Sequence, residues 1–166
     1  MNEIRKHARL SVLLALSVIL SIIESTLPIL SGFIPGMKIG LANIVILFVL
    51  YKYTFKEAVI ISILRVFLVA ILVSGIFTIT FTFSLIGAIL SIIIMAISKK
   101  ITKLSIIGVS TMGSIAHGMG QMIVATIFIG STKIFYYSPL LLILCSITGI
   151  CIGIITAQIY KRISVI

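Results

Sequence analysis

The chain has 166 residues, of which 61% are hydrophobic and 10% are charged, and its mean hydropathy is +1.39. A soluble domain of this size cannot enclose so many apolar residues, because much of its surface stays in contact with solvent. The composition therefore excludes an ordinary soluble domain and indicates an integral membrane protein.

The net charge of +10 raises the question of nucleic-acid binding. A nucleic-acid surface gathers Lys and Arg on one folded face, with aromatic or polar side chains between them. In this chain the basic residues instead flank apolar runs. The charge therefore indicates membrane topology and attraction to anionic lipid, with the lipid bilayer as a partner and no nucleic acid.

Six apolar segments, separated by charged or Gly/Pro-rich breaks, are predicted to cross the membrane. A span needs about 20 mostly apolar residues to cross a hydrocarbon core of roughly 30 Å, and the second segment is the shortest of the six. The segments cover residues 10–27, 39–51, 57–74, 78–98, 104–129 and 138–160. We expect an all-α integral membrane bundle of six transmembrane helices that forms a single domain over residues 1–166.

The basic residues between the spans predict the orientation of the bundle, because Lys and Arg in short loops stay on the cytoplasmic side. The intervening loops on the other side carry only Lys38 and Lys133. Both termini are therefore predicted to be cytoplasmic, in a multi-pass protein of the cell membrane. The residues on the predicted cytoplasmic side are Arg5, Lys6, Arg9, Lys52, Lys56, Lys99, Lys100, Lys103, Lys161 and Arg162.

The first loop, within TLPILSGFIPGMKIGLANIVILF (26–48), interrupts the apolar chain with prolines and glycines. Irregular backbone at membrane depth is tolerated only where protein covers it or where it lines a cavity. We expect an external loop that folds over the mouth of the bundle as a lid and brings Lys38 and Asn43 to its rim. The residues that break the helical pattern are Pro28, Gly32, Pro35 and Gly36.

Ionisable residues inside the predicted spans are few, and each costs at least a few kcal/mol to bury in lipid. They are Glu24, Arg65 and His117, accompanied by the neutral amides Asn43 and Gln121. Counting about 1.5 Å per helical residue puts Arg65 and His117 near mid-membrane and the other three in the outer half. With Lys38, these residues form the predicted ligand-binding set.

Two polar stripes favour a shared cavity, because residues three or four apart lie on one helical face. On the fifth span the stripe is Ser110, Ser114, His117 and Gln121, and on the first it is Ser17, Ser21 and Glu24. Two alternatives stay open. The stripes can be hydrogen-bonded contacts that hold helices together, and Arg65 can pair with Glu24 or extend toward the interface.

Small residues of the last two spans favour helix packing over ligand contact. Gly113 and Gly120, and Gly149 with Gly153, allow close helix approach. Cys145 and Cys151 are six residues apart, so they lie on different helix faces and are predicted to pack as small apolar residues. Nothing in this pattern implies a metal or a disulfide.

Catalytic chemistry is not supported by the sequence. There is no aspartate, and the three acids Glu3, Glu24 and Glu57 are scattered, so no cluster can hold Mg²⁺ and diphosphate. No GxxxxGK[ST] segment is present, and His117 has no carboxylate at a usable spacing. We therefore expect a binding protein, not an enzyme, and no cofactor.

Two segments carry a family resemblance that extends over nearly the whole chain: PGMKIGLANIVILF (35–48) and GSIAHGMGQMIVA (113–125). They resemble the bacterial Gx transporter family, labelled heptaprenyl diphosphate synthase component I, which is similar to the S components of energy-coupling factor transporters. The resemblance implies six helices, an outward-facing ligand site under the loop after helix one, and small residues on helix one that meet the coupling subunit. Ser11 and Ala15 are the matching docking positions.

The leading hypothesis is a substrate-binding subunit for uptake of a small anionic or amphipathic molecule, linked by the resemblance to isoprenoid, quinone or flavin metabolism. A transmembrane coupling subunit and ATPase subunits would be its partners. The alternative is a non-catalytic membrane subunit of a heptaprenyl diphosphate or menaquinone synthesis assembly, or of an extracellular electron-transfer assembly. A subunit of the sodium-pumping electron-transfer type is disfavoured, because no threonine-containing flavin-attachment motif or metal-ligating cysteine pair is evident.

Overall fold

Helices account for nearly all of the residues that the computed structural model describes, which are 3–26, 40–101 and 104–164. A π-helical turn, Ala70–Ser74, continues α3, and a 3₁₀ turn, Thr132–Tyr137, precedes α6. The expectation of an all-α protein is confirmed. The helices are α1 (Glu3–Thr26), α2 (Asn43–Lys52), α3 (Phe55–Val69), α4 (Ile79–Ile101), α5 (Ile106–Ile129) and α6 (Ser138–Ser164).

Five segments in the described part of the chain are long and apolar enough to cross a membrane. They comprise α1, α3 with its π turn, α4, α5, and α6 with its 3₁₀ turn. Their outward faces carry many exposed Ile, Leu, Val and Phe side chains, as lipid-facing helices do. The protein is therefore a multi-pass membrane bundle.

The second helix is too short for the span predicted over residues 39–51. It has 10 residues, which cover about 15 Å, or roughly half of a hydrocarbon core. Helix α2 packs against α1, α3 and α6, and seven of its residues are buried, as expected for a helix that is hydrophobic all round. It is a central, enclosed half-length helix.

Glycines set the close packing of the last three helices. A Cβ on Gly149 would lie 2.7 Å from the Cα of Thr111, and one on Gly153 would lie 2.6 Å from the Cα of Ile107. A Cβ on Gly120 would lie 3.0 Å from the Cα of Gly87 on α4. Since real Cβ atoms do not approach backbone this closely, the prediction that these glycines allow close helix contact is confirmed.

The two cysteines occupy different faces of α6, as predicted. Cys145 is buried, and a Cβ on Gly118 would lie 2.5 Å from its Sγ, so the thiol packs directly against the glycine. Cys151 is exposed on the outward face. The predicted role of packing inside the bundle is therefore confirmed for Cys145 but not for Cys151.

The helix ends that carry most of the basic residues are held together by specific polar contacts. Lys6 Nζ lies 2.5 Å from a carboxylate oxygen of Glu57, which joins α1 to α3. The same carboxylate accepts the backbone N–H of Thr54 at 3.0 Å and its hydroxyl proton, forming a capping box. Lys99 donates to the Leu50 carbonyl at 2.7 Å, near the end of α2. These contacts place the beginnings of α1 and α3 together, and the end of α4 with the end of α2.

Candidate functional site

A cluster of polar side chains lies buried between four helices. It consists of Glu24 from α1, Asn43 from α2, Arg65 from α3, and His117 with Gln121 from α5, and is called the polar cluster below. Each of the five is 6% exposed or less. These are the five predicted site residues that the structure describes. Their burial together makes the cluster the candidate functional site.

A small cavity borders the polar cluster, and three of its five members, Glu24, Arg65 and His117, line it. Its volume is about 20 Å³, whereas a single water needs about 10–15 Å³ measured in this way. The cavity therefore has room for about one water, and a larger ligand requires the helices around it to move apart. The other lining residues are Ser21, Gly40, Val66, Val69, Ser74, Phe81 and Ser84.

The start of α2 is fastened to the end of α1 at the edge of this cavity. The backbone N–H of Gly40 donates to the Glu24 carboxylate. Gly40 has a φ of +92°, and a Cβ there would lie 3.0 Å from Asn43 Nδ2. Both the left-handed backbone and the lack of space favour glycine at this position. Gly40 thus allows the backbone to contact the Glu24 carboxylate and then to turn into α2, which brings Asn43 to the polar cluster.

His117 and Gln121 form one hydrogen-bonded unit on successive turns of α5. His117 Nε2 lies 3.1 Å from Gln121 Nε2. The amide can meet Nε2 with its N–H or, turned over, with its carbonyl oxygen, so the contact joins the two side chains in either neutral tautomer of the ring.

Gly87 on α4 provides the notch that receives the imidazole of His117. A Cβ at this position would lie 2.8 Å from Cε1, 2.9 Å from Nδ1 and 3.2 Å from Nε2 of the ring. Sequence reasoning did not identify Gly87, since a lone glycine inside an apolar run gives no sign of which side chain it faces. A glycine opposite a buried polar residue on a neighbouring span is the pattern that would have pointed to it.

Arg65 and Glu24 bring opposite charges to one enclosed space. Both line the cavity, and the Glu24 carboxylate is the charge that acts on the Arg65 guanidinium. A charge of either sign buried without compensation would be strongly unfavourable. The predicted association of Glu24 with Arg65 therefore has a structural basis. Arg65 can stabilise the bundle and also contact a ligand in the cavity.

Buried polar atoms on α5 and α2 have unused hydrogen-bonding capacity. Neither Ser110 Oγ nor Gln121 Oε1 has a hydrogen-bond partner among the described residues. The Asn43 amide reaches Ser91 Oγ only at 3.5 Å, the outer limit for such a bond. Leaving a buried acceptor unpaired costs about 1–3 kcal/mol, so these atoms favour an additional partner such as a ligand or a bound water.

The two polar stripes predicted from spacing are buried along their whole length. They comprise Ser110, Ser114, His117 and Gln121 on α5, and Ser17, Ser21 and Glu24 on α1. Lys38 and the predicted lid residues Pro28, Gly32, Pro35 and Gly36 lie outside the described residues. The contribution of Lys38 and of the lid therefore stays a prediction.

The predicted docking residues lie away from the polar cluster. Ser11 and Ala15 are both exposed on α1, while Ser17, Ser21 and Glu24 of the same helix are buried. The Ser11 hydroxyl donates to the His7 carbonyl at 3.0 Å, so it is satisfied within its own helix. The two positions present a small outward surface whose docking role stays a prediction.

Comparison with known proteins identifies one protein family whose model matches most of the chain. The family model for heptaprenyl diphosphate synthase component I matches residues 13–159, which include every member of the polar cluster. No curated protein and no solved structure matches the chain.

Proposed function

The chain belongs to the heptaprenyl diphosphate synthase component I family, and from that premise we propose that it is a membrane subunit that captures a small anionic or amphipathic molecule between its helices. The observation that carries the proposal is the polar cluster. Ionisable side chains at membrane depth are costly to bury and commonly mark binding or conduction sites. Four helices each contribute to this cluster, although apolar residues would pack the same space at lower cost.

The charges of the site favour an anionic group on the ligand. Arg65 carries one positive charge beside the single carboxylate of Glu24. Lys38, if it reaches the site as predicted, would add a second, and protonation of His117 would add a third. The amides of Asn43 and Gln121 would orient the ligand through hydrogen bonds. Apolar side chains on the cavity wall would accept a hydrophobic part of the same molecule; they are Val66, Val69 and Phe81.

Binding requires the bundle to open from the closed arrangement described above, because the cavity holds about one water. Gly40 connects the predicted lid to α2 and contacts the Glu24 carboxylate through its N–H. A movement of the lid would therefore act directly on a charged residue of the site. This coupling supports ligand entry at the end of the cavity where Gly40 and Glu24 lie.

Uptake would need energy from partner subunits, since the sequence has no ATP-binding GxxxxGK[ST] segment. In the proposed arrangement the coupling subunit contacts Ser11 and Ala15 of α1. Both side chains are small and exposed, which allows another helix to approach closely. ATPase subunits would act through that coupling subunit.

A second candidate function follows from the family description. The chain would then be a non-catalytic membrane subunit of a heptaprenyl diphosphate or menaquinone synthesis assembly, or of an extracellular electron-transfer assembly. The polar cluster would serve as hydrogen-bonded contact between helices, with a water in its cavity. In this second candidate any diphosphate chemistry would belong to a partner chain, because the sequence has no aspartate to hold Mg²⁺ and diphosphate.

Mass spectrometry of molecules extracted from the purified full chain separates the two candidates. We expect a small molecule at near-stoichiometric amounts in the wild type, and a loss of about tenfold or more in Gln121→Leu, which removes one polar contact of the site. Gln158→Leu is the matched control, because Gln158 is exposed on α6, and it should retain the molecule. If wild-type protein yields no small molecule but copurifies with a soluble prenyl synthase, the second candidate replaces the first.

A further inference from the structure

Three phenylalanine side chains lead from the cavity beside the polar cluster to the outer surface of the bundle. Phe81 on α4 lines the cavity and is 7% exposed. Its ring packs edge-on against Phe67, with the ring centres 5.3 Å apart, and against Phe77, at 6.4 Å. Phe67 is 38% exposed and Phe77 is 91% exposed, so the row ends at the surface of the bundle. The three residues are called the aromatic row below.

On the basis of the capture function above, we propose that the ligand is a single-chain amphiphile whose hydrocarbon tail leaves the cavity between α3 and α4 and lies along the aromatic row in the bilayer. The cavity holds about one water, so it cannot enclose a tail beside the polar head. The predicted topology puts the connection between α3 and α4 on the outer side, so the tail would lie in the outer leaflet.

The contact between α3 and α4 beside the cavity is apolar. Val66 of α3 and Ala70 of the π turn pack with Phe81 and Ala88 of α4 in one hydrophobic cluster. A hydrocarbon chain is as apolar as these four side chains. It can therefore replace their mutual contact without leaving a polar side chain of the cluster unpaired.

Glycines make the other contacts of α4 and α5 closer and harder to separate. A Cβ on Gly120 would lie 3.0 Å from the Cα of Gly87, and one on Gly149 would lie 2.7 Å from the Cα of Thr111. Helix α3 contains no glycine. Its contact with α4 in the hydrophobic cluster is made by side chains, which can change rotamer. The bundle is therefore expected to open between α3 and α4.

The backbone next to this contact departs from a regular α-helix. The π turn Ala70–Ser74 ends where the N–H of Gly75 donates to the Ala70 carbonyl at 2.7 Å. Ser74 lines the cavity, whereas Leu72 of the same turn is exposed. A single turn of backbone thus lies between the cavity and the outer surface. Single π turns occur frequently at functional sites, which supports a role for this wall in admitting the tail.

Photo-crosslinking of the full chain in phosphatidylcholine nanodiscs tests the tail position. The probe is dodecyl phosphate with a diazirine near the end of its tail, and peptide mass spectrometry locates the label. We expect label within residues 67–81, reduced about tenfold by a tenfold excess of unlabelled dodecyl phosphate. Such label is called specific below. Dodecyltrimethylammonium, which has the same tail and a cationic head, should not compete. Gln121→Leu should lose specific label about tenfold, and Gln158→Leu should retain it.

A matched pair of variants on α4 tests the route of the tail. Phe81→Leu shortens the side chain that separates the cavity from the exposed rings, so specific label should appear about threefold faster after mixing. Phe83→Leu is the control, because Phe83 is also buried but packs in a different cluster, with Met122 and Leu141. It should label at the wild-type rate. Thermal unfolding in detergent verifies that both variants are folded.

The location of the label separates failure of the tail path from failure of the capture function. Specific label confined to α2 and α5 would overturn the tail path and leave the capture function intact. Label at 67–81 that dodecyltrimethylammonium removes equally well, or that no competitor removes, would assign this surface to ordinary membrane lipid and overturn the proposal. Equal labelling rates in Phe81→Leu and Phe83→Leu would exclude the aromatic row as the route. Absence of specific label anywhere would also overturn it, and the capture function would fail with it only if wild-type extracts yield no small molecule.

Discussion

Charged side chains are buried around the beginning of α2 and exposed around its end. At its beginning, Asn43 joins a cluster in which Glu24, Arg65 and His117 are buried among apolar helices. At its end, Lys52 lies among cations that remain exposed, and Lys99 satisfies a backbone carbonyl. Charged side chains therefore have different energetic consequences at the two ends, because the surrounding dielectric determines how much an unpaired charge costs.

This difference distinguishes exposed cations, which indicate the membrane topology, from buried charged residues, which indicate a functional site. An exposed cation keeps its hydration, so removing it changes stability little. A buried charge depends on its neighbours, so removing one member of a set disturbs the others. Substitutions at the two ends of α2 should consequently differ by several kcal/mol in their effect on the free energy of unfolding.

The largest effect is expected for Arg65→Ala, which removes a buried positive charge that faces the same cavity as the Glu24 carboxylate. We expect a loss of about 3–5 kcal/mol in the free energy of unfolding, measured by denaturant titration in detergent. The double change Glu24→Gln with Arg65→Gln removes both charges and should recover most of that stability.

Ligand retention in the same double variant distinguishes scaffold from site. We expect stability to return while the copurifying small molecule stays absent, because a contact with the ligand has been removed. Recovery of both stability and ligand would assign Arg65 to the scaffold alone. A single Arg65→Ala variant as stable as the wild type would contradict the comparison between the two ends of α2.

The sequence predicted the helices well, because long apolar runs between charged breaks have few alternatives in a membrane. The exceptions have physical reasons. Helix α1 begins at Glu3 and not at residue 10, since its charged first turns are helical outside the apolar run. Helix α2 is shorter than its apolar segment, because Gly40 has a left-handed backbone and the regular helix begins only at Asn43.

The candidate site was predictable only in part. Charged and amide residues are easily recognised inside apolar segments of the sequence, and all five members of the polar cluster were identified in this way. Their role in binding stays a prediction. Gly87 could not be identified, since its importance depends on the His117 ring of another helix. The contact from Lys99 to Leu50 was equally hidden, because a long side chain reaches a backbone atom 49 positions away in sequence.

An intermediate effect is expected for Gly87→Ala. The added methyl group would lie 2.8–3.2 Å from three atoms of the His117 ring, so the ring must shift or the helices must separate. We expect a loss of about 1–3 kcal/mol in the free energy of unfolding. If the clash is with the imidazole, combining Gly87→Ala with His117→Ala should cost less than the sum of the two single changes. Additive effects would indicate that Gly87 packs against the backbone of α5 instead.

At the basic end, Lys99→Met should destabilise the bundle by about 1 kcal/mol. The change removes the 2.7 Å hydrogen bond to the Leu50 carbonyl and the contact of the ammonium with the Tyr51 ring, whose centre is 4.6 Å away. Lys100→Met is the matched control, since it removes an exposed cation from the neighbouring position and should stay within about 0.5 kcal/mol of wild type. Thermal unfolding of both variants in one detergent provides the measurement, and equal shifts would show that net charge, not the contact, is responsible.

The smallest effect on folding is expected for Ala15→Trp, although its effect on assembly should be large. Ala15 is exposed on α1, so a larger side chain can extend outward and should change the free energy of unfolding by no more than about 0.5 kcal/mol. A coupling helix that packs closely against Ser11 and Ala15 would be excluded by the indole, because such contacts depend on small residues. Copurification of the coupling subunit with tagged Ala15→Trp measures this effect, with Leu16→Trp as the control for a bulky residue on a different part of the exposed surface of α1. Unchanged recovery of the partner with Ala15→Trp would place the interface on another face. Loss in Ala15→Trp alone would show that the outward surface of α1 at Ser11 and Ala15 recognises a protein.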